Sequence, residues 1–397
     1  MVVEKINNKI SLLNFTEKGE YFPKSTKDFS EGSEAFYQWF SPNNNYPQTV
    51  IDEIRKGTTL ESILFEDLIY KTGAGFNSDD AKFENYINSE ILNSDNETFK
   101  SLFKKSNDSY SKLGNVFIEV ITDVPKENQK PQLLSLSIIQ PQKCRLAKKG
   151  NKVVIYSDWQ NFNKKKAVEL PLYPKFKTFS FSGIKVQKSV YHIKQEALGF
   201  DHYGINDKMF EALLLNEKEH RRNNWQLSQI KRGFRRDFFL VSEFAVTEKE
   251  KKITDAAFDK MAGDDYAGGV ENIEAENAKL VPAQSNYDFD FTKDDTSDQL
   301  FLKMGFPRSL IGIKSGNSFS VEQVESDYDQ YLPKVENQQK EIINHFNVIF
   351  AATTEYENAE FSAINTPPSV VLQNYMPYMN DVQKNIVIEK LFKKYGI

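Results

Sequence analysis

The chain has 397 residues, of which 39% are hydrophobic and 27% are charged, a balance typical of a folded soluble protein with two or three domains. Its formal net charge of −5 argues against a protein whose whole surface binds nucleic acid, although it leaves room for a local basic patch. The single cysteine, Cys144, excludes an internal disulfide and a zinc site built on several thiolates.

No targeting or membrane-spanning segment is predicted. The longest apolar runs are far shorter than a membrane span. The start, MVVEKINNKISLLNF, has no apolar block followed by a small-residue cleavage site. One cysteine also fits a reducing compartment. We therefore expect assembly in a cytoplasm and no membrane partner.

The expected elements change from helices to strands along the first half of the chain. Short helical patterns and turn clusters fill the first 75 residues, and a helical pattern covers residues 78–112. The period then becomes two in short segments between Pro, Gly, Asn and Lys breaks: NVFIEVITD, QLLSLSIIQ, KCRLAKKG, KVVIYSDW, KAVELPLY and KSVYHIKQ. This pattern predicts an antiparallel β-rich block over residues 115–194.

A long helix is predicted to follow this block. Asn206 can cap it and Asp207 suits its first turn, because acceptors and negative charge favour a helix N-terminus. Beyond the helix, RDFFLVSEF and YDFDF are typical of strands, with a short helix and a glycine turn between them.

A basic cluster occupies the second half of that helix and the residues after it: Arg221, Arg222, Lys231, Arg232, Arg235 and Arg236. Two interpretations stay open. The cluster is a solvated helix end, where cations interact favourably with the helix dipole. Alternatively, it contacts phosphate groups or an acidic partner.

A short helix over residues 296–304 precedes a loop over residues 313–319. Gly305 can take the left-handed position after this helix, and Pro307 prevents its continuation. The loop contains none of the usual catalytic residue types.

The helix after the loop has a well-specified start. Ser320 is a cap residue, and Gln323 completes a capping box three residues later. Phe319 and Val324 can pack together as a hydrophobic staple. Pro333 lies inside the helix, and we expect a kink there because proline removes one backbone hydrogen bond.

The same helix has a nearly heptad apolar face. This face fits packing between subunits and packing within one subunit equally well. Its members are Val321, Val324, Tyr328, Tyr331, Val335, Ile342, Phe346 and Ile349.

No motif carries recognisable enzyme chemistry. GIKSG lacks the spacing of a nucleotide-binding loop, and TGAGF lacks the third glycine of a dinucleotide fingerprint. The four histidines show neither HExxH nor HxH spacing. DFDFTKDDTSD departs from a calcium loop, because Lys293 stands where the glycine belongs. We therefore expect no enzyme activity, no cofactor and no metal.

One alternative from another class is a metal-dependent nucleic-acid-processing enzyme with a basic groove. Such an enzyme needs a carboxylate or histidine cluster. The sequence offers only the acidic group at residues 288–298, with Asp288 and Asp290 at its start.

Five segments over residues 113–350 occur in an informative order: LGNVFIEV, LLSLSIIQPQKCRL, VYHIKQEALGFDHYGINDKMFEALLLNEKEHRRNNW, LFLKMGFPRSLIG and NSFSVEQVESDYDQYLPKVENQQKEIINHF. In this order they resemble the portal proteins of tailed bacteriophages. The chain differs from that family in having GIND where a Ser-Pro pair usually begins the long helix. Its second, returning helix is also shorter than usual.

The resemblance implies an α+β, portal-like fold and a ring of subunits, usually twelve, at one vertex of a capsid. Double-stranded DNA passes through such a ring during genome packaging, retention and ejection. The implied partners are further copies of the chain, the major capsid protein, the terminase, and head-completion or tail adaptor proteins. The implied location is the virion, after assembly in the cytoplasm of a bacterial host. A different head–tail adaptor is a third possibility, although those proteins are usually much smaller.

The resemblance also assigns a domain to each part of the chain. The assignments are 1–204, N-terminal region and antiparallel β-rich wing; 205–232, stem helix; 233–290, small α/β clip; 291–305, returning stem helix; 306–319, tunnel loop; 320–351, kinked long helix; and 352–397, C-terminal wing strand and short crown.

Two groups of contact residues follow from these assignments. The tunnel loop would present Lys314, Ser315, Gly316, Asn317 and Ser318 to DNA. The clip would contact DNA or a partner through Lys231, Arg232, Arg235 and Arg236. A conduit must contact DNA without holding it, so an acidic chain with few basic contacts suits the task, because many lysine contacts would resist sliding.

Overall fold

The computed structural model describes residues 36–40, 44–125, 129–181, 184–197, 202–231, 238–242, 272–274, 279–282, 295–311, 320–366 and 368. The chain divides into two compact units. The first consists of Met1–Leu213 and Leu300–Ile397, and the second of Leu214–Gln299.

The structure describes seven helices, which range from 9 to 33 residues in length. They are α1 (Tyr46–Ile54), α2 (Thr58–Thr72), α3 (Ala81–Ser89), α4 (Phe99–Leu113), α5 (Asp207–Lys231), α6 (Asp295–Met304) and α7 (Val321–Thr353). The predicted cap of α5 is confirmed, since the Asn206 side-chain oxygen accepts a hydrogen bond from the Lys208 backbone N–H at 3.2 Å. Asp80 caps α3 in the same way, through the backbone N–H groups of Lys82 and Phe83.

The predicted β-rich block is confirmed as two antiparallel sheets. Its strands are β2 (Asn115–Asp123), β3 (Leu133–Ile139), β4 (Cys144–Leu146), β5 (Lys152–Ile155), β6 (Val168–Pro171), β7 (Lys177–Phe181) and β8 (Ile184–Lys194). One sheet has the order β3-β2-β8-β7 and the other β4-β5-β6. The sequence pattern did not predict β7, because KTFSF is short and runs directly into a Ser-Gly break.

A two-stranded sheet joins the two sequence segments of the first unit. Strand β1 (Gly75–Ser78) pairs in antiparallel register with β12 (Phe361–Ile364), so that Gly75 lies opposite Ile364. Beneath it lies an aromatic core, in which Phe99 contacts the ring edge of Phe346 at a centroid distance of 4.9 Å. The core combines residues of the helices α3, α4 and α7 with residues of the strands β1, β2, β3, β8 and β12.

Two of the segments quoted for the resemblance meet at the start of α5. The side-chain amide of Asn115 donates to the Gly204 carbonyl at 2.7 Å, and its oxygen accepts from the Gly204 N–H at 2.9 Å. The Gln195 N–H donates to the Gly114 carbonyl at 2.8 Å. Strand β2 and the residues before α5 are therefore fixed to each other by buried hydrogen bonds.

The nearly heptad face of α7 is buried within the subunit. Its buried residues include Val324, Tyr328, Tyr331, Val335, Ile342, Phe346 and Ile349. Gln338, which interrupts the pattern, donates to Asn107 and Ser111 of α4 at 3.0 Å each. Of the two interpretations left open by the sequence, packing within the subunit is therefore the one found.

The second unit contains three described strands, β9 (Phe238–Ser242), β10 (Asn272–Glu274) and β11 (Lys279–Pro282). Strand β9 is central, with β10 parallel and β11 antiparallel to it. The predicted strand in RDFFLVSEF is β9. The YDFDF strand and the short helix predicted before it lie outside the described residues. In the part of the chain that is described, no helix is long and apolar enough to cross a membrane.

Candidate functional site at the base of the 312–319 loop

The structure describes both ends of the predicted loop. Residues 312–319, which include Lys314, Ser315, Gly316, Asn317 and Ser318, lie outside the described residues. The chain reaches them through α6 and a 3-10 turn at Arg308–Ile311, and it leaves them at Ser320, directly before α7. We call these flanking residues, 305–311 and 320–327, the loop base.

The first end follows a sharp helix stop. Gly305 has a left-handed φ of 65°, as the sequence predicted. Its N–H donates to the Leu302 carbonyl, and the Phe306 N–H donates to the Phe301 carbonyl, both at 3.1 Å. These two bonds are the Schellman pattern, which satisfies the last carbonyls of α6 and turns the chain away.

Phe306 anchors this end in an aromatic cluster. Its ring is 3% exposed, and its centroid lies 5.0 Å from that of Tyr331 and 6.1 Å from that of Tyr70. The Lys334 ammonium adds a hydrogen bond to the Gly305 carbonyl at 3.3 Å. The turn before the loop is therefore attached to both α2 and α7.

A buried polar group lies beside the cluster. The Tyr331 hydroxyl donates to the Asp67 carboxylate, whose other oxygen forms a 2.6 Å ion pair with Lys71. Burial, together with the Asp67 charge, raises the pKa of Tyr331 well above its usual value. The phenol therefore stays protonated and remains a donor to Asp67.

The second end is a capped helix start. The Ser320 hydroxyl accepts from the Gln323 N–H at 3.2 Å, and the Ser320 carbonyl accepts from the Val324 N–H at the same distance. The pKa of Glu322 is lowered by its own backbone N–H and by the Ser320 hydroxyl. A negative charge is favourable there because it faces the positive end of the helix dipole.

Asp327 joins the two ends of the loop. Its carboxylate accepts from the Ser309 hydroxyl at 2.6 Å and from the Gln323 side-chain amide at 3.1 Å. Hydrogen bonds to an ionised carboxylate are stronger than neutral ones. The Gln323 side-chain amide therefore bonds to the carboxylate that connects Ser309 to α7. No sequence pattern pointed to Asp327, because Ser309 lies across the loop from it.

Pro333 lies on the exposed side of α7, which continues through it as one helix from Val321 to Thr353. The expected kink stays a prediction. Of the predicted clip contacts, Lys231 is the last residue of α5, and Arg232, Arg235 and Arg236 lie outside the described residues.

Part of the basic cluster on α5 is paired within its own helix. The Arg221 guanidinium bonds to the Glu217 carboxylate at 2.6 Å, four residues earlier. This pair agrees with the interpretation of a solvated helix surface for that part of the cluster.

The described residues include no group of three or more His, Cys, Asp or Glu that could hold a metal ion. Asp288 and Asp290 lie outside them. His192 donates from Nε2 to the Asn115 side-chain oxygen at 3.0 Å, since that oxygen can only accept. Burial, helped by the Lys194 charge, lowers the pKa of His192 to about 3, so this histidine is neutral and structural.

No protein-family model matches the chain, and no curated protein matches its sequence. Among solved structures, the chain is similar to one from the virion of a native gene transfer agent particle, with a TM-score of 0.47, 14% identity, and 86% of this chain and 93% of that chain covered. It is also similar to one from the neck of a native gene transfer agent particle computed with C12 symmetry, with a TM-score of 0.47, 13% identity, and coverage of 91% and 98%. A third is an HK97 family phage portal protein from Corynebacterium diphtheriae, with a TM-score of 0.45, 8% identity, and coverage of 81% and 97%. All three TM-scores are below 0.5.

Proposed function

We propose that this chain is a portal-protein subunit, which assembles into a ring at one capsid vertex and conducts double-stranded DNA during packaging, retention and ejection. The proposal rests on the order of the five sequence segments and on the loop base. It makes residues 306–319 the tunnel loop, and Lys314, Ser315, Gly316, Asn317 and Ser318 its DNA-facing residues.

The observation that carries the proposal is that the loop base fixes both ends of a small, polar loop. Ser309 and Gln323 are bonded to the same Asp327 carboxylate, and Phe306 is buried between helices. A loop over residues 312–319 must go out and return, so at ~3.3 Å per residue it reaches at most about 13 Å from its base. A loop of limited reach on a hydrogen-bonded base suits a segment that touches a moving polymer near a constant radius.

The charge of the loop suits weak contact. Lys314 is its single charged residue. Each phosphate contact contributes about −0.9 to the slope of log K against log salt concentration. One contact per subunit is therefore a weak, salt-sensitive attachment that exchanges rapidly. A ring of such loops can hold DNA centred while letting it slide.

The remaining assignments belong to the same proposal. Residues 1–204 form the wing with the N-terminal region, 205–232 and 291–305 the stem, and 233–290 the clip, where Lys231, Arg232, Arg235 and Arg236 contact DNA or a docking partner. The kinked helix covers 320–351, and the wing strand and crown 352–397. Terminase, adaptor proteins and the major capsid protein are the proposed partners, with about twelve copies in the ring.

Ring formation is the first test. Purified full-length protein is imaged by electron microscopy, and its mass is measured by light scattering over a wide concentration range. We expect closed rings with a central channel. A strictly monomeric protein at all concentrations would count decisively against the proposal.

The role of the loop is tested separately, in particles. Lys314→Gln and a variant with a shortened loop should package or retain less DNA, because the ring loses its contact with the phosphate backbone. The matched control is Lys340→Gln, which removes the same charge from an exposed site on α7. Full heads of normal DNA content in the Lys314 and loop variants would refute the tunnel-loop assignment and leave the ring proposal intact.

A further inference from the structure

Positive charge is concentrated in one stretch of this acidic chain. Residues 141–194 contain thirteen Lys or Arg and only two acidic residues, a formal charge of +11, whereas the whole chain has −5. The stretch covers the β4-β5-β6 sheet together with β7 and β8. In the sequence it is separate from both the loop base and the basic cluster on α5.

Two lysine-bearing loops of the β4-β5-β6 sheet meet at Phe36. Lys148 and Lys149 lie in the turn between β4 and β5, and the Lys148 N–H donates to the Phe36 carbonyl at 3.4 Å. Lys164 lies in the loop between β5 and β6, with its ammonium 4.4 Å from the centroid of the Phe36 ring. Lys165 and Lys166 follow directly. We call these five residues, 148, 149 and 164–166, the lysine patch.

Among the described residues, no acidic group neutralises the positive charge of the lysine patch. All five lysines are exposed, and no described residue forms an ion pair with any of them. The two acidic residues of the stretch are engaged elsewhere. Glu169 pairs with Lys152 at 3.2 Å, and Asp158 accepts from the backbone and side chain of Asn161 within its own turn.

Aromatic packing holds the lysine loops on the sheet. Trp159 and Phe162 stack with centroids 5.4 Å apart and planes within 6°. Tyr37 packs against the edge of Trp159 at 4.6 Å, and the Trp159 indole N–H donates to the Gln142 carbonyl at 2.9 Å. These rings bind the loops to the protein, so the lysines are displayed on a structured support.

From this arrangement we infer that the lysine patch binds the phosphate backbone of nucleic acid, without sequence preference. Ammonium groups are compact point charges that neutralise phosphates but do not make the bidentate contacts that read bases. An acidic protein is the weaker candidate, because protein interfaces are depleted in lysine and need apolar or aromatic anchors. Here the aromatic residues are engaged in packing on one another: Tyr37 is only 8% exposed, and Phe36, Trp159 and Phe162 are half-buried. The inference goes beyond the proposed conduit and does not depend on ring formation.

The test is fluorescence anisotropy with a labelled DNA duplex, titrated with full-length protein between 50 and 200 mM salt. Each phosphate contact contributes about −0.9 to the slope of log K against log salt. The triple variant K164Q/K165Q/K166Q should therefore have a slope smaller in magnitude by about 2.7. Replacing Lys148 and Lys149 by Gln as well should reduce the magnitude of the slope by about 4.5 in total. Between 50 and 200 mM salt, this variant should therefore lose about 500-fold less affinity than the wild-type protein loses.

The control is K82Q/K104Q/K340Q, which changes the net charge equally at three exposed lysines of α3, α4 and α7. It should retain the wild-type slope. Circular dichroism and thermal unfolding establish that each variant is folded. Single-stranded DNA and RNA serve as further probes, and we expect the lysine-patch variants to lose binding to both.

Several outcomes would overturn the inference. The inference is wrong if the control variant binds DNA as weakly as the lysine-patch variants, or if the lysine-patch variants keep the wild-type salt slope. It is also wrong if the protein binds poly-glutamate as tightly as DNA, a result that points to an acidic protein partner. Loss of binding in Lys314→Gln alone would overturn it too, while leaving the proposed conduit in place. Monomeric protein that binds DNA through the lysine patch would support it even if no ring forms.

Discussion

Replacing Gly204 by alanine should strongly destabilise the first unit. A Cβ at this position would lie 2.1 Å from the Gly114 carbonyl oxygen, 2.5 Å from the Gln195 nitrogen and 2.7 Å from the Gln195 oxygen. All three atoms belong to the backbone, so none can rotate away as a flexible side chain would. The substitution therefore forces apart the end of β8, the start of β2 and the residues before α5.

The magnitude follows from the bonds that hold these segments together. Separation weakens the two hydrogen bonds between Asn115 and Gly204 and the one from Gln195 to Gly114. At about 1 kcal/mol each they contribute roughly 3 kcal/mol. Overpacking strain adds about 1–3 kcal/mol. We expect a loss of about 4–6 kcal/mol, a large share of the total stability of an ordinary domain.

The assay is urea unfolding followed by circular dichroism, with stability taken from linear extrapolation. Gly150→Ala is the matched control, because Gly150 has a left-handed φ of 66° but no atom within 4 Å of its added Cβ. It should cost only about 1–2 kcal/mol, from the backbone conformation alone. A Gly204→Ala protein within about 1 kcal/mol of wild type, or more stable than Gly150→Ala, would refute this reasoning.

Three further predictions concern single side chains. Ser309→Ala removes a donor to Asp327 and should speed limited proteolysis within the loop several-fold, whereas the control Ser326→Ala, at an exposed hydroxyl of α7, should leave the rate unchanged. Burial lowers the pKa of His192 to about 3, so between pH 6.5 and 3 only the unfolded chain takes up a proton at this residue. The free energy of unfolding should therefore decrease as the pH is lowered, by at most about 1.4 kcal/mol per pH unit. His192→Phe should reduce this dependence in urea titrations between pH 6.5 and 4.5, and an unchanged dependence would contradict the assignment. Burial also raises the pKa of the Cys144 thiol, so a thiol reagent at pH 8 should modify it only after unfolding, and rapid labelling of the native protein would be inconsistent with its burial.

Local patterns in the sequence predicted local structure well. The alternation in NVFIEVITD, the Asn206 cap and the left-handed helix stop at Gly305 each depend on residues within one turn or one strand. The structure confirms β2, the α5 cap and the end of α6 for that reason.

Contacts between distant residues could not be predicted in the same way. Nothing near Asp327 indicates that its partner is Ser309, and nothing near Asn115 indicates Gly204, which lies 89 residues away. The apolar face of α7 shows the same limit, because a periodic pattern establishes that a face is covered but not what covers it. The lysine patch was detectable, however, since a charge count over a long window finds residues 141–194 where short basic runs do not.

The pairing of β1 with β12 has a consequence for synthesis on the ribosome. The Ser78 hydroxyl donates to the Glu360 carbonyl, 282 residues later in the chain. At about 5–20 residues per second, the strand waits roughly 14–56 s after its own translation for its partner to be made. During that interval β1 is an open edge and Phe76 lacks its contact with Phe361, so the nascent chain must be kept from aggregating until its last described strand emerges.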